Sequence, residues 1–239
     1  MWLANRIFPS VRRLQARLAA LEAERNGSTP TPRAIAPQHT DVTRLDLGCG
    51  DKKRADCYGV DFRPRPGVDC VLNIASEPWP FADNSIEYIF SNHAFEHLPH
   101  PGPGFGHVLT EIFRVCKHNA QIEIWTPYGP SRDAFILGHT IMFNERIWQD
   151  CCFQGDRVWL GDRYGYFLWE ETEYCLRPGI VDELKPNGID LDFALSHMFD
   201  ICYEWRVQLR VKKDSPQAPG PQTPRRLFSY ARGEIAKQI

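Results

Sequence analysis

Short apolar runs and amphipathic stretches alternate along the middle of this chain. Residues 43–47, 57–61, 68–74 and 85–90 are apolar runs too short for helices and bounded by turn-forming residues, which is how buried strands read. Residues 106–115 place Val108, Ile112 and Val115 on one helical face. Residues 120–125 alternate as a fifth strand. An irregular region follows, with a helix near 143–151 and an aromatic, strand-like run at 163–176. Residues 191–199 have helical spacing, and 201–211 (Ile-Cys-Tyr-Glu-Trp-Arg-Val-Gln-Leu-Arg-Val) alternate cleanly as the last strand. Strands interleaved with helices predict an α/β domain built on a parallel sheet with crossovers.

The two ends read differently. In residues 1–26, Ile7, Val11, Leu14, Leu18 and Leu21 form a heptad-like seam, with arginines and glutamates on the other faces. Such a helix can pack on its own domain, pair with a second copy in a homodimer, or rest on a membrane surface through Trp2, Leu3 and Phe8. Residues 27–41 are a Ser/Thr/Pro linker, 42–213 the core domain, and 214–239 a Pro-rich and basic tail. In that tail, the four prolines within 215–224 predict a disordered linker, and 224–239 a short basic helix.

Composition narrows the function classes. The 239 residues are 43% hydrophobic and 12% aromatic, enough for one α/β domain with a sizeable core. A net charge of −2 gives no broad field for nucleic acid. The eight cysteines include no CxxC pair, so they read as reduced core thiols in a cytoplasmic protein rather than as zinc ligands or a disulfide framework. No apolar run reaches the roughly 18–20 residues of a membrane span. Arg6, Arg12, Arg13 and Arg17 interrupt any secretory leader.

The chemistry centres on Arg44-Leu45-Asp46-Leu47-Gly48-Cys49-Gly50-Asp51, followed by Tyr58-Gly59-Val60-Asp61. A strand ending in a glycine turn, with an acid at the end of the next strand, is how α/β proteins build a nucleoside pocket. A nicotinamide or flavin fold would want a third glycine, a helix between the strands and an acid about twenty residues on. Here Asp51, Lys52 and Lys53 follow Gly50 and Asp61 arrives early. The G-K-[ST] of a P-loop is absent as well.

These residues resemble the class I S-adenosylmethionine-dependent methyltransferases, and four later runs extend the likeness over roughly residues 43–150. Pro80-Phe81-Ala82-Asp83-Asn84-Ser85-Ile86-Glu87 resembles that family's run before the fourth strand, with Glu87 in place of the usual Asp. Ser91-Asn92-His93-Ala94-Phe95-Glu96-His97-Leu98 is similar to its strand end and "EHL" element. Glu111-Ile112-Phe113-Arg114-Val115-Cys116-Lys117 and Gln121-Ile122-Glu123-Ile124 resemble the following helix and strand. The resemblance implies a Rossmann-like, mostly parallel seven-stranded sheet with an antiparallel last strand. It implies S-adenosylmethionine as cofactor, with Gly48 and Gly50 against its methionine end, Asp46 near its ammonium and Asp61 on the ribose hydroxyls. Phe62 would lie beside the adenine, Asn73 and Ile74 at its edge, and Asn92 and His93 near the sulfonium.

Methyl transfer from a sulfonium needs alignment and, for oxygen acceptors, a base. His139 is the leading candidate base, because it follows the fifth strand in a stretch resembling a bacterial small-molecule methyltransferase subgroup; His97 is the second. Asp133, His139 and Glu145 could gather a divalent ion, although their spacing is not diagnostic and no metal is expected. The expected reaction is O-methylation of a sugar or secondary metabolite. N- or C-methylation, and a cofactor-binding scaffold working through the N-terminal helix, are the alternatives.

Overall fold

The structure, a computed structural model, describes residues 39–99, 104–153, 165–213 and 220–232. The helix expected at 1–26 and most of the linker at 27–41 lie outside the described residues. A single eight-stranded sheet organises the rest. Its strands are β1 (Arg44–Leu47), β2 (Tyr58–Asp61), β3 (Cys70–Val71), β4 (Ile86–Asn92), β5 (Cys116–Pro127), β6 (Tyr166–Leu176), β7 (Cys202–Lys212) and β8 (Arg225–Ser229). In space they run β3-β2-β1-β4-β5-β7-β6-β8. The pairs from β3 to β5 are parallel, β7 is antiparallel to both β5 and β6, and β8 is parallel to β6. This is the expected Rossmann-like sheet with its antiparallel strand, widened by one.

The extra strand corrects two expectations, the seven-strand count and the start of the helix at 224–239, whose residues 233–239 lie outside the described residues. Arg225–Ser229 lies along the otherwise open edge of β6, from Glu171↔Arg225 to Cys175↔Ser229. The proline-rich approach is anchored by Gln222, which is buried at 7% exposure. Its side-chain amide donates to the Phe167 carbonyl at 3.1 Å, and its carbonyl accepts the Trp169 N–H. A glutamine that meets backbone groups at the sheet edge satisfies them where water cannot reach. A short strand carrying arginines is also a common way to finish an edge against further pairing.

Helices α1 (Gly104–Val115), α2 (Glu145–Phe153), α3 (Ile180–Leu184) and α4 (Leu191–His197) cover the sheet. Helix α1 buries Val108, Leu109, Ile112, Phe113 and Val115, one continuous apolar stripe. Its polar residues fix the loop before β4: Glu111 accepts the Trp79 N–H at 2.8 Å, and Arg114 donates to the carbonyls of Phe81 and Trp79 at 2.8 and 2.9 Å. Turns alone connect β1 to β2, as the few residues available there dictate. Because β1 lies between β2 and β4, the chain leaves its carboxyl end toward both sides, and the crevice at this switch point is where open α/β sheets bind ligands. Among the described residues, no helix is long and apolar enough to cross a membrane.

Candidate active site

The glycine turn opens directly from β1. Gly48 has a left-handed backbone (φ +71°), and its N–H donates to the Val60 carbonyl at 2.8 Å, tying the turn to β2. A Cβ on Gly48 would lie 2.3 Å from the Cβ of Ala94, so only glycine fits. The Gly50 N–H donates to Asp61 Oδ2 at 3.0 Å, and the Arg63 N–H to Oδ1 at 2.9 Å. Two backbone donors therefore fix the orientation of the Asp61 carboxylate. Each oxygen keeps a further lone pair for a ligand hydroxyl.

Asp61 faces a cavity of about 500 Å³ at the carboxyl edge of the sheet. Gly48, Phe62, Asn73, Ile74, His93 and His97, all singled out from the sequence, line it as well. Arg63, Leu72 and Ala94 also contribute to its wall, and none of them is a candidate site residue from the sequence, although Ala94 lies within the Ser91–Leu98 run. Asp46, Gly50, Asn92 and His139 stand behind or beside this lining. Asp46 is buried and accepts the Arg54 N–H at 2.7 Å, bracing the loop that follows the turn. Burial pushes its pKa up despite that hydrogen bond. Asn92 ends β4 with its side-chain carbonyl oxygen buried and unpartnered.

His93 sits at φ +50°, between two carboxylates. Its Nδ1 meets Glu96 Oε1 at 3.1 Å, and its Nε2 meets Glu204 Oε2 at 2.9 Å. Burial works against the charged ring, but the hydrogen bonds to Glu204 and Glu96 outweigh it and hold the pKa at about 9. Glu204 shows the complementary balance: burial raises its pKa, and Arg232 and His93 outweigh that to bring it to about 2. With both nitrogens donating, His93 is an imidazolium with no lone pair for proton abstraction. Glu204 and Arg232 were missed by sequence reasoning, since they come from β7 and from beyond β8 and carry no local motif.

His97 and His139 form a different kind of pair. Their rings meet edge to face with centroids 4.8 Å apart. His97 Nδ1 lies 3.1 Å from the Gly138 carbonyl, and His139 Nδ1 lies 3.3 Å from the Ala134 carbonyl. A carbonyl oxygen can only accept, so each Nδ1 carries the proton and each Nε2 keeps its lone pair. The backbone holds the pair together, because the Glu96 carbonyl accepts the N–H of Thr140 at 2.7 Å and of Ile141 at 3.2 Å. The other residues considered with His139 are occupied elsewhere. Asp133 pairs with Arg177, and Glu145 Oε1 accepts the hydroxyls of Tyr128 and Tyr174, each at 2.9 Å.

The cavity suits S-adenosylmethionine on observable grounds. A carboxylate held by backbone donors faces it, the Phe62 ring is 61% exposed beside it, and the turn at its floor tolerates no Cβ at Gly48. Its volume lies in the range of cofactor sites, about 300–1,000 Å³.

Residues 27–124 match the methyltransferase domain family. No curated protein matches the chain. Among solved structures, a SAM-dependent methyltransferase from Archaeoglobus fulgidus is similar at 14% identity and a TM-score of 0.47, over 81% of this chain and 93% of that one. The YcgJ protein from Bacillus subtilis is similar at 13% identity and a TM-score of 0.42, over 74% and 96%. A phosphoethanolamine N-methyltransferase from Haemonchus contortus, in complex with phosphomonomethylethanolamine and S-adenosylhomocysteine, is similar at 15% identity and a TM-score of 0.43, over 84% and 53%. Residues 27–124 thus carry the match to a methyltransferase domain, and this supports a methyltransferase that uses S-adenosylmethionine.

Proposed function

We propose that this enzyme methylates an oxygen of a small-molecule acceptor, a sugar or secondary metabolite, with His139 taking the hydroxyl proton. The observation that carries this reading is the His97–His139 edge, where two imidazoles held by backbone carbonyls keep their Nε2 lone pairs beside the cavity. Oxygen nucleophiles gain most from such a base.

Gly48, Gly50, Asp46, Asp61, Phe62, Asn73, Ile74, Asn92 and His93 would hold the cofactor. When bound, it supplies a methyl group already made electrophilic by positive sulfur. The chain's own tasks are then to orient the acceptor, exclude water and move one proton. Asp61 would accept from the ribose hydroxyls, and the apolar wall around Leu72 and Ile74 would shield the base. His93 would act through position and charge, because both its nitrogens are engaged.

The working compartment fits a reducing cytoplasm, since all eight cysteines are free and burial pushes several thiols up, Cys49 and Cys116 to about 12. A homodimer through residues 1–26 completes the proposal. Incubation with methyl-labelled S-adenosylmethionine and a panel of hydroxyl, amine and carbon acceptors tests it, with product mass as readout. Labelled ethers that fade in His139→Ala support it. Labelled amines or carbon products, or an undiminished His139→Ala enzyme, would overturn it.

A further inference from the structure

We propose that Glu96, His97 and His139 form a binding site for one divalent first-row transition-metal ion. One carboxylate oxygen of Glu96 and one ring nitrogen from each histidine lie within 4.8 Å of one another. Three ligand atoms each about 2.0–2.2 Å from one ion lie at most about 3.8 Å from one another. A closure of about an ångström therefore completes the set, and the solvent-exposed His97 ring can supply it by a side-chain rotation.

Three independent features of the site suit an ion. First, both histidines donate Nδ1–H to backbone carbonyls, those of Gly138 and Ala134. This arrangement orients an imidazole and leaves Nε2 as the ligand atom. Second, Glu96 is 1% exposed, and while its Oε1 is engaged by His93, its Oε2 is buried with no hydrogen-bond partner. A buried carboxylate oxygen without a donor is costly, and a cation is one of the few groups that satisfies it. Third, the backbone of Glu96 carries the 139–141 segment through the Thr140 and Ile141 N–H groups, so the ligands come from two loops already fastened together.

The donor set chooses among ions. Two imidazoles and one carboxylate suit zinc, cobalt, manganese or iron(II), whereas magnesium and calcium prefer all-oxygen shells. Three protein ligands, of which His97 is exposed and His139 half-buried, leave coordination positions for water or an acceptor. His97 lines the cavity, so the ion would stand at its wall. One consequence rests on the O-methylation reading: His139 takes the hydroxyl proton in the metal-free enzyme, whereas in the metal-loaded enzyme it is a ligand and an acceptor hydroxyl bound to the ion would lose its proton to solvent more readily.

The test uses the full chain, stripped with chelator and titrated with Zn²⁺ by calorimetry and with Co²⁺ by visible absorption. The expected result is one ion per chain in each titration, a Co²⁺ spectrum without a thiolate charge-transfer band, and no comparable heat from Mg²⁺. His97→Ala and His139→Ala should each weaken Zn²⁺ binding at least tenfold, and His139→Ala, whose ring stands outside the cavity lining, should retain S-adenosylhomocysteine affinity. Because buried Glu96→Gln could fail to fold, the two histidine variants decide the outcome. Zn²⁺ affinity unchanged in both of them, a thiolate band with Co²⁺, or no binding at all would overturn the site. These readouts need no turnover. Metal binding by a chain that methylates amines would sink the acceptor proposal alone, whereas chelator-insensitive ether formation without metal binding would sink this one alone.

Discussion

Arg232 grips Glu204 with two hydrogen bonds, Nε to Oε1 at 2.8 Å and Nη2 to Oε2 at 2.5 Å. The arginine comes from the segment after β8, and the glutamate it holds is the one that braces His93 at the cavity wall. The C-terminal segment thus takes part in shaping the site as well as finishing the sheet. Arg232→Ala removes charge-assisted hydrogen bonds from a buried carboxylate and should cost about 1.5–3 kcal/mol of stability. Urea unfolding measures it, and a loss below about 0.5 kcal/mol would mean the pair is no more than a surface contact.

The same chain of charges sets a pH dependence. His93 titrates near 9 in the folded protein against an ordinary 6.5, so the fold holds this proton more tightly than the unfolded chain does. Its stabilising contribution is complete below about pH 6.5 and is lost as pH rises through about 9. Glu204, lowered to about 2 from 4.5, contributes fully above pH 4.5 and loses that contribution as pH falls toward 2. Urea midpoints measured from pH 6.5 to 9.5 should therefore fall with pH in the parent and fall less steeply in His93→Gln. Parallel curves for the two proteins would remove His93 as the source.

Which parts of this site the sequence disclosed follows from how far each feature reaches. Gly48, Gly50 and Asp61 belong to one local unit, a strand, a turn and a second strand, and that spacing brings Gly48 and Asp61 to one cavity, with the Gly50 N–H donating to Asp61 behind it. Asp46 was visible by the same logic, yet its carboxylate turns to the Arg54 N–H, because the connection to β2 needs an internal acceptor more than the cavity wall does. The His93–Glu204 contact joins residues 111 apart, and nothing in either neighbourhood announces the other. Strand β8 was hidden for a related reason. Arg-Arg-Leu-Phe-Ser has a weak pattern of its own and becomes a strand only because β6 presents an open edge to it.

Asp61→Ala should reduce S-adenosylhomocysteine affinity by about 1.5–3 kcal/mol, roughly 10- to 150-fold, through loss of a charged acceptor. The substitution also strands the N–H groups of Gly50 and Arg63 that now donate to the carboxylate, so part of the effect is a looser turn. Asp61→Asn separates the two contributions, because it keeps a carbonyl oxygen for one backbone donor and gives up the charge. Calorimetry on both variants reads the difference. An Asp61→Ala affinity within twofold of the parent would place the ribose elsewhere.

Gly48 and Gly50 have similar backbone angles, φ +71° and +53°, but different surroundings, and this makes them a controlled pair. A Cβ at Gly50 meets nothing within 4 Å, so Gly50→Ala carries only the left-handed backbone cost, about 1–2 kcal/mol. A Cβ at Gly48 falls 2.3 Å from Ala94 Cβ, where carbon atoms rest at about 3.5–4.0 Å, so overpacking of about 1–3 kcal/mol adds to the backbone cost. Gly48→Ala should therefore lose about 2–5 kcal/mol in urea unfolding. It should also bind S-adenosylhomocysteine poorly, because Ala94 leads into the turn that carries Glu96 and His97 and would be pushed along with it. Ala94→Gly in the Gly48→Ala background should recover the packing part and leave the backbone part. Equal losses at Gly48 and Gly50, or no recovery in the double variant, would mean that the Gly48–Ala94 contact does not hold the floor of the cavity.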